Sequence, residues 1–188
     1  AQFAWHKLIQ SYSADTETLV GTTVSGRDVP VEGVEGSVGL YINTLPLMVD
    51  WSDTERTISD TLQGIQQDIA ALNTHSAVSL ASLQYEGERL FHSLFVFENY
   101  PKPASDDEVQ DSDQLIESGA RFRDAIEKAD YPLSVIAYEK MGSEEKEGLV
   151  LRVSYGRDWL DEEGASRLLS RLCGILSRVV QDPGQRCH

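Results

Sequence analysis

Apolar positions recur at spacings of three and four in two stretches of the chain, each predicting an amphipathic helix, and a third helical stretch opens the chain. In "TISDTLQGIQQDIAALNTH" the residues Ile58, Leu62, Ile65, Ile69 and Leu72 fall on one face. Gly64 interrupts that helix at a cost of about 1 kcal/mol relative to Ala, so a close neighbour is expected to need the room. From Asp161, read as an N-cap, to Val180, the residues Leu168, Leu169, Leu172, Ile175, Leu176 and Val179 form a second stripe, ended by Pro183 and Gly184. The third stretch is "AQFAWHKLIQSYS", with Phe3, Leu8 and Ile9 as its apolar positions. A helix that begins at residue 1 without a capping residue or an initiator Met is expected of a chain cut from something larger.

Other apolar runs read as strands. "TLVGTTVSG" enters a turn at Ser25 and Gly26, and a glycine-spaced loop follows over 27–37. A strand is expected from about Val38 to Val49, and another in "SLFVFENYP", stopped by Pro101, with Phe95, Phe97 and Tyr100 as core. "PLSVIAYEK" and "GLVLRVSYG", joined by the charged turn "MGSEEKEG", predict an antiparallel hairpin. In its second strand Leu149, Leu151, Val153 and Tyr155 alternate with Val150, Arg152 and Ser154. A short helical stretch is expected near "RFRDAIEKA". The order of elements predicts an α/β (α+β two-layer) fold, one mainly antiparallel or mixed sheet with packed helices, with no linker dividing residues 1–188.

One strand is odd. "VGLYINTLPLMVDW" carries Asn43 and Thr44 in an otherwise apolar run. A polar pair in a buried strand costs free energy unless it has partners, so something beside the strand is expected to use it.

Composition narrows the function. The 188 residues carry a formal net charge of −15, which argues against nucleic acid or an anionic membrane as partner. Part of the acid is local, in "ASDDEVQDSDQLIE", read as a solvated loop. No apolar run approaches the roughly 20 residues of a membrane-spanning helix. The two cysteines, Cys173 in a helical pattern and Cys187 in the tail, make no disulfide framework, which suits a reducing compartment, most simply the cytoplasm.

The residues alone reveal no catalytic centre. The positions four on from His6, His75 and His92 are Gln10, Ser79 and Val96, neither carboxylate nor histidine, and His188 is the last residue, which excludes H-x-x-x-D and H-E-x-x-H elements. There is no G-x-S-x-G elbow and no C-x-x-C pair, and no metal-ligand set is expected. Ser25, His75 and Asp130 could assemble in space, but any chain of this length offers such triplets. Gly33, Gly36 and Gly39 suit a loop that needs a permissive backbone better than a phosphate cradle.

"GTTVSGR" (21–27), "VEGSVGLYINTLPLMV" (34–49) and "LFHSLFVFENYP" (90–101), preceded by "WHKLIQSYS", resemble in order and separation the second half of condensation domains of non-ribosomal peptide synthetases. The family's Val/Ile-Gly-x-Phe-Val/Ile-Asn-Thr motif is matched by Val38, Gly39, Leu40, Tyr41, Ile42, Asn43 and Thr44. A further motif appears in variant form as "NTHSAVSLASLQ" (73–84), and Arg89 and His92 stand where the family has Pro and Asp. "DYPLSVIAYEK" and "LRVSYGRDWLDEEGASRLLSRL" resemble the closing strands and helix.

The resemblance implies a chloramphenicol-acetyltransferase-like lobe, the C-terminal one of two, with the catalytic histidine motif in the other lobe. It implies carrier proteins, donor and acceptor, as partners, alongside the N-terminal lobe and neighbouring synthetase domains. Phosphopantetheine would arrive on those carriers, and no cofactor is expected to be bound by this chain. Tyr41, Asn43, Thr44 and Ser25 would line the tunnel that receives the pantetheine arm, with His75 and Arg89 as minor contributors. The alternative for Asn43 and Thr44 is that they stitch the strand to a neighbouring loop. Residues 25–37 would correspond to a floor loop and 102–131 to a latch region. A lobe of an epimerization domain and a non-catalytic carrier-docking module are the competing assignments.

Overall fold

The computed structural model describes residues 1–26, 33, 37–39, 41–84, 88–98, 130–140 and 148–187. The expected latch, apart from Asp130 and Tyr131, the helical stretch near 121–129, the hairpin turn and most of the floor loop lie outside these residues. The elements are α1 (Gln2–Ser13), β1 (Glu17–Ser25), β2 (Ile42–Asp50), α2 (Ile58–Thr74), the single turn α3 (Leu80–Leu83), β3 (Ser93–Glu98), β4 (Leu133–Lys140), β5 (Gly148–Tyr155) and α4 (Glu162–Gln181). The strands form one mixed sheet in the order β2-β1-β3-β4-β5. β1–β2 and β4–β5 are antiparallel, and β1–β3 and β3–β4 are parallel. The two-layer α+β expectation and the hairpin are both borne out.

The helix ends follow local chemistry. Thr57 and Asp60 form a capping box at α2, the Thr57 hydroxyl accepting from the Asp60 N–H while the Asp60 carboxylate accepts from the Thr57 N–H. The Asp161 carboxylate accepts from the Gly164 N–H at 2.7 Å, the N-cap expected for α4. Carbonyls of the tail take up the next free N–H groups of α2: Ile58 donates to Gln185 and Ser59 to Pro183. The room at Gly64 goes to Arg56, whose guanidinium nitrogen lies 2.3 Å from where a Cβ would stand.

α1, α2 and α4 pack on one face of the sheet. Trp5 and Leu8 of α1 meet Leu168 and Leu172 of α4 over Val20, Phe95 and Val135. Phe3, Ile58 and Ile65 cover Leu47, Val49 and Trp51, with the Phe3 and Trp51 rings edge to face. Polar groups caught in this layer are tied to the strands. The Trp5 indole N–H donates to the Ser93 hydroxyl at 2.8 Å, the Trp51 indole N–H donates to Thr18 Oγ1 at 2.9 Å, and His6 Nδ1 meets the same Thr18 hydroxyl at 2.8 Å. Burial holds His6 down at a pKa of about 4, and its Nε2 is buried without a partner.

Three readings need correction. β2 starts at Ile42 rather than near Val38, which is fully exposed. Phe97 is half-exposed at the end of β3, not core. Cys173, placed in the apolar pattern, is exposed, while Cys187 in the tail is buried against Thr61, with a sulfur–oxygen distance of 3.2 Å. The tail is folded back by a bridge from Arg186 to Thr57 and by a Cys187 N–H to Arg56 carbonyl bond, and this encloses the second thiol.

Candidate functional site

Strand alternation separates the polar pair. The register sets Val24 opposite Asn43, Thr23 opposite Thr44 and Ser25 opposite Ile42. Val24 and Leu45 lie under the helices, so Asn43 shares the helix-covered face. Thr44 shares the other face with Thr23, Ser25 and Ile42. The expectation that both residues face one neighbour is therefore resolved into two roles.

Asn43 stitches. Its Nδ2 donates to the Ser76 carbonyl at 2.8 Å and the Val78 carbonyl at 2.6 Å, and its Oδ1 accepts from the Thr44 N–H at 2.8 Å. Both amide protons are thus spent on the segment that leaves α2. The loop-stitching alternative describes this amide, and the segment it holds is the variant motif that contains His75.

His75 lies at a helix end. It is the exposed C-cap of α2, its Nδ1 2.9 Å from both the Ala71 carbonyl and Thr74 Oγ1. Tyr41 anchors the entry to β2: its carbonyl accepts from the Gly26 N–H at 2.6 Å, and its hydroxyl lies 2.5 Å from the Ser37 hydroxyl. Ser25 ends β1 at the same end of the sheet, opposite Ile42.

Arg89 belongs to a separate cluster on the face that carries Thr44. Its guanidinium donates to the Asp130 carbonyl at 2.5 Å and lies over the Tyr131 ring at 5.6 Å. Tyr131 stacks on Phe91, whose ring occupies the space a side chain at Gly21 would fill; the nearest ring carbon is 2.1 Å from the Cβ position. Burial raises the Tyr131 phenol above its ordinary range, with Arg89 opposing. This cap of Phe91, Tyr131 and Arg89 sits on β1, and Gly21, Thr23 and Ser25 run from under it toward the start of β2. Thr23, Phe91 and Tyr131 were not singled out from the sequence. Period-two alternation of Thr23 with Ser25 was the available signal for the first, whereas the aromatic cap depends on contacts distant in sequence.

Among the described residues, the arrangement offers hydroxyls and apolar groups along one sheet face. Among the described residues no group of three or more His, Cys, Asp or Glu is placed to hold a metal, and no helix is long and apolar enough to cross a membrane.

The chain is similar to N-(5-amino-5-carboxypentanoyl)-L-cysteinyl-D-valine synthase of Penicillium rubens, with 36% identity over 183 residues. The match covers 96% of this chain and 5% of the synthase. It is 30% identical over 190 residues to the third component of surfactin synthase of Bacillus subtilis, covering 98% of this chain and 14% of that protein. The chain thus spans a small fraction of these relatives. Among solved structures, the condensation domain from the monacolin K polyketide synthase superposes with a TM-score of 0.71 at 17% identity, over all of this chain and 42% of that one. A four-domain nonribosomal peptide synthetase bound to AMP and glycine gives a TM-score of 0.76 at 17% identity, over 99% of this chain and 15% of that one. At these identities the likeness is one of fold, and it bears out the expected condensation-type architecture. The family model described as Condensation domain matches residues 1–188, and the chain belongs to that family.

Proposed function

We propose that this chain is the C-terminal lobe of a condensation domain, one wall of a tunnel in which a carrier-bound amine attacks a carrier-bound thioester to form a peptide bond. The observation that carries the reading is coverage: all of this chain superposes on only 42% of a solved condensation domain. The absence of an H-x-x-x-D element from the sequence agrees with a catalytic histidine supplied by the other lobe.

In this reading Thr44, Ser25 and Thr23, on the face away from the helices, meet the phosphopantetheine arm. Their hydroxyls can donate to and accept from its amides, and Ile42 beside them suits its apolar carbons. Tyr41 fixes the entry to that wall, while Asn43 acts at one remove by holding 76–78. The arm supplies the activated thioester. The chain's own residues position it and, with the amine oriented, contribute through proximity rather than proton transfer. The N-terminal lobe, donor and acceptor carriers and adjoining synthetase domains are the partners.

Amide formation between two aminoacyl-loaded carrier proteins tests this, using the chain alone and with an N-terminal lobe bearing the histidine motif added in trans. Product only with both halves is expected. Product from the chain alone would overturn the assignment of the catalytic group to the other lobe, and racemised donor instead of amide would make this an epimerization lobe.

A further inference from the structure

On the helix-bearing side, remote from β2's polar pair, lies a cavity of about 170 Å³ between α1, the start of α2, the end of α4 and the folded-back tail. We propose that it binds a small organic anion, a carboxylate on a short apolar chain. Phe3, Ile58 and Val179 supply the apolar lining, and Lys7, Arg178 and Arg186 supply positive charge.

That charge is unusual in its setting. The chain has a formal net charge of −15, yet three cations converge on one opening. Arg186 is paired with Glu55 at 2.5 Å. Lys7 donates to Gln10 Oε1 at 3.0 Å and lies 5.0 Å from the Trp51 ring centroid. Among the described residues neither Lys7 nor Arg178 has a carboxylate partner, so two positive charges remain to be matched. Burial lowers the Lys7 pKa, an unfavourable environment for an ammonium that a bound anion would relieve. A guanidinium on the last turns of α4 suits the two oxygens of a carboxylate, and the Phe3, Ile58 and Val179 surfaces suit an alkyl stem rather than a bare ion.

Titration calorimetry with hexanoate, hexan-1-ol and inorganic phosphate tests the site. Hexanoate is expected to bind, with no saturable heat from the alcohol or phosphate. Arg178→Gln, at an exposed position that leaves the fold intact, should weaken hexanoate about tenfold, the loss of one charge-assisted pair. Lys7→Gln should do likewise, while Arg167→Gln, elsewhere on α4 and paired with Glu163, should change nothing. Absence of hexanoate binding, equal binding of hexan-1-ol or phosphate, or full affinity in Arg178→Gln would each overturn the proposal.

Discussion

The two faces of the five-stranded sheet differ in what they do with polar groups. On the helix-covered face the indole and amide N–H groups named above are paired across elements, Trp5 with Ser93, Trp51 with Thr18, and Asn43 with the carbonyls of Ser76 and Val78, and His6 Nε2 is the exception among the groups described. Apolar neighbours there are closed off from water; Val20 and Val135 are 0% exposed. On the opposite face Met48 is 53% exposed and Ile42 47%, beside the hydroxyls of Thr44 and Thr23. The helix-covered face carries most of the core, whereas the opposite face is packed under Phe91 and at Ile136 but leaves side chains of β2 open to solvent. Asn43 and Thr44, adjacent in sequence, fall on different sides of this division.

The largest break in the comparison is expected from Trp5→Ala. It removes a fully buried ring and leaves the Ser93 hydroxyl without its donor, at about 3–5 kcal/mol. Met48→Ala on the other face should cost under about 1 kcal/mol. Urea midpoints of both variants check the contrast, and equal losses would dissolve it.

His6 gives the helix-covered face a pH signature. Its folded pKa of about 4 lies below the ordinary value of 6.5, so the unfolded chain takes up the proton first. The corresponding stability is fully present above about pH 6.5 and is lost as pH falls toward 4. Between pH 7.5 and 5 the loss should be about 2 kcal/mol, and His6→Asn should flatten it. Urea denaturation across that range reads the difference between the two proteins.

A smaller effect is expected at Asn43. Asn43→Ala frees two carbonyls at the end of α2, for about 1–2 kcal/mol, and should increase hydrogen exchange in the segment 75–79. Unchanged exchange there would remove the stitching role.

The legibility of these features follows from the range of the interactions behind them. Helices α2 and α4 and the β4–β5 hairpin were readable because their apolar spacing and caps are local; the Thr57 and Asp60 capping box stands in the sequence as T-x-x-D. The space at Gly64 was readable as a need, but its occupant, Arg56, was not. The early start expected for the β2 strand rests on the apolar character of Val38, which by itself does not distinguish a strand residue from an exposed apolar one. The burial of Cys187 is not legible from its place in the tail, because the bridge that encloses it joins Arg186 to Thr57, far apart in the chain. At the candidate site, motif resemblance drew attention to β2, while facing directions required the register with β1. Strand alternation requires adjacent residues such as Asn43 and Thr44 to diverge, which the expectation of a shared neighbour passed over, and only the partner strand tells which of them meets the helices.

Thr44→Val in the intact domain tests the division between faces most directly, because the substitution keeps the branched shape and replaces only the hydroxyl with a methyl group. Rates of amide formation and melting temperatures should be measured on the same preparations. The account predicts a several-fold slower reaction at an unchanged melting temperature. An unchanged rate, or a fall in melting temperature that accounts for the lost activity, would contradict it.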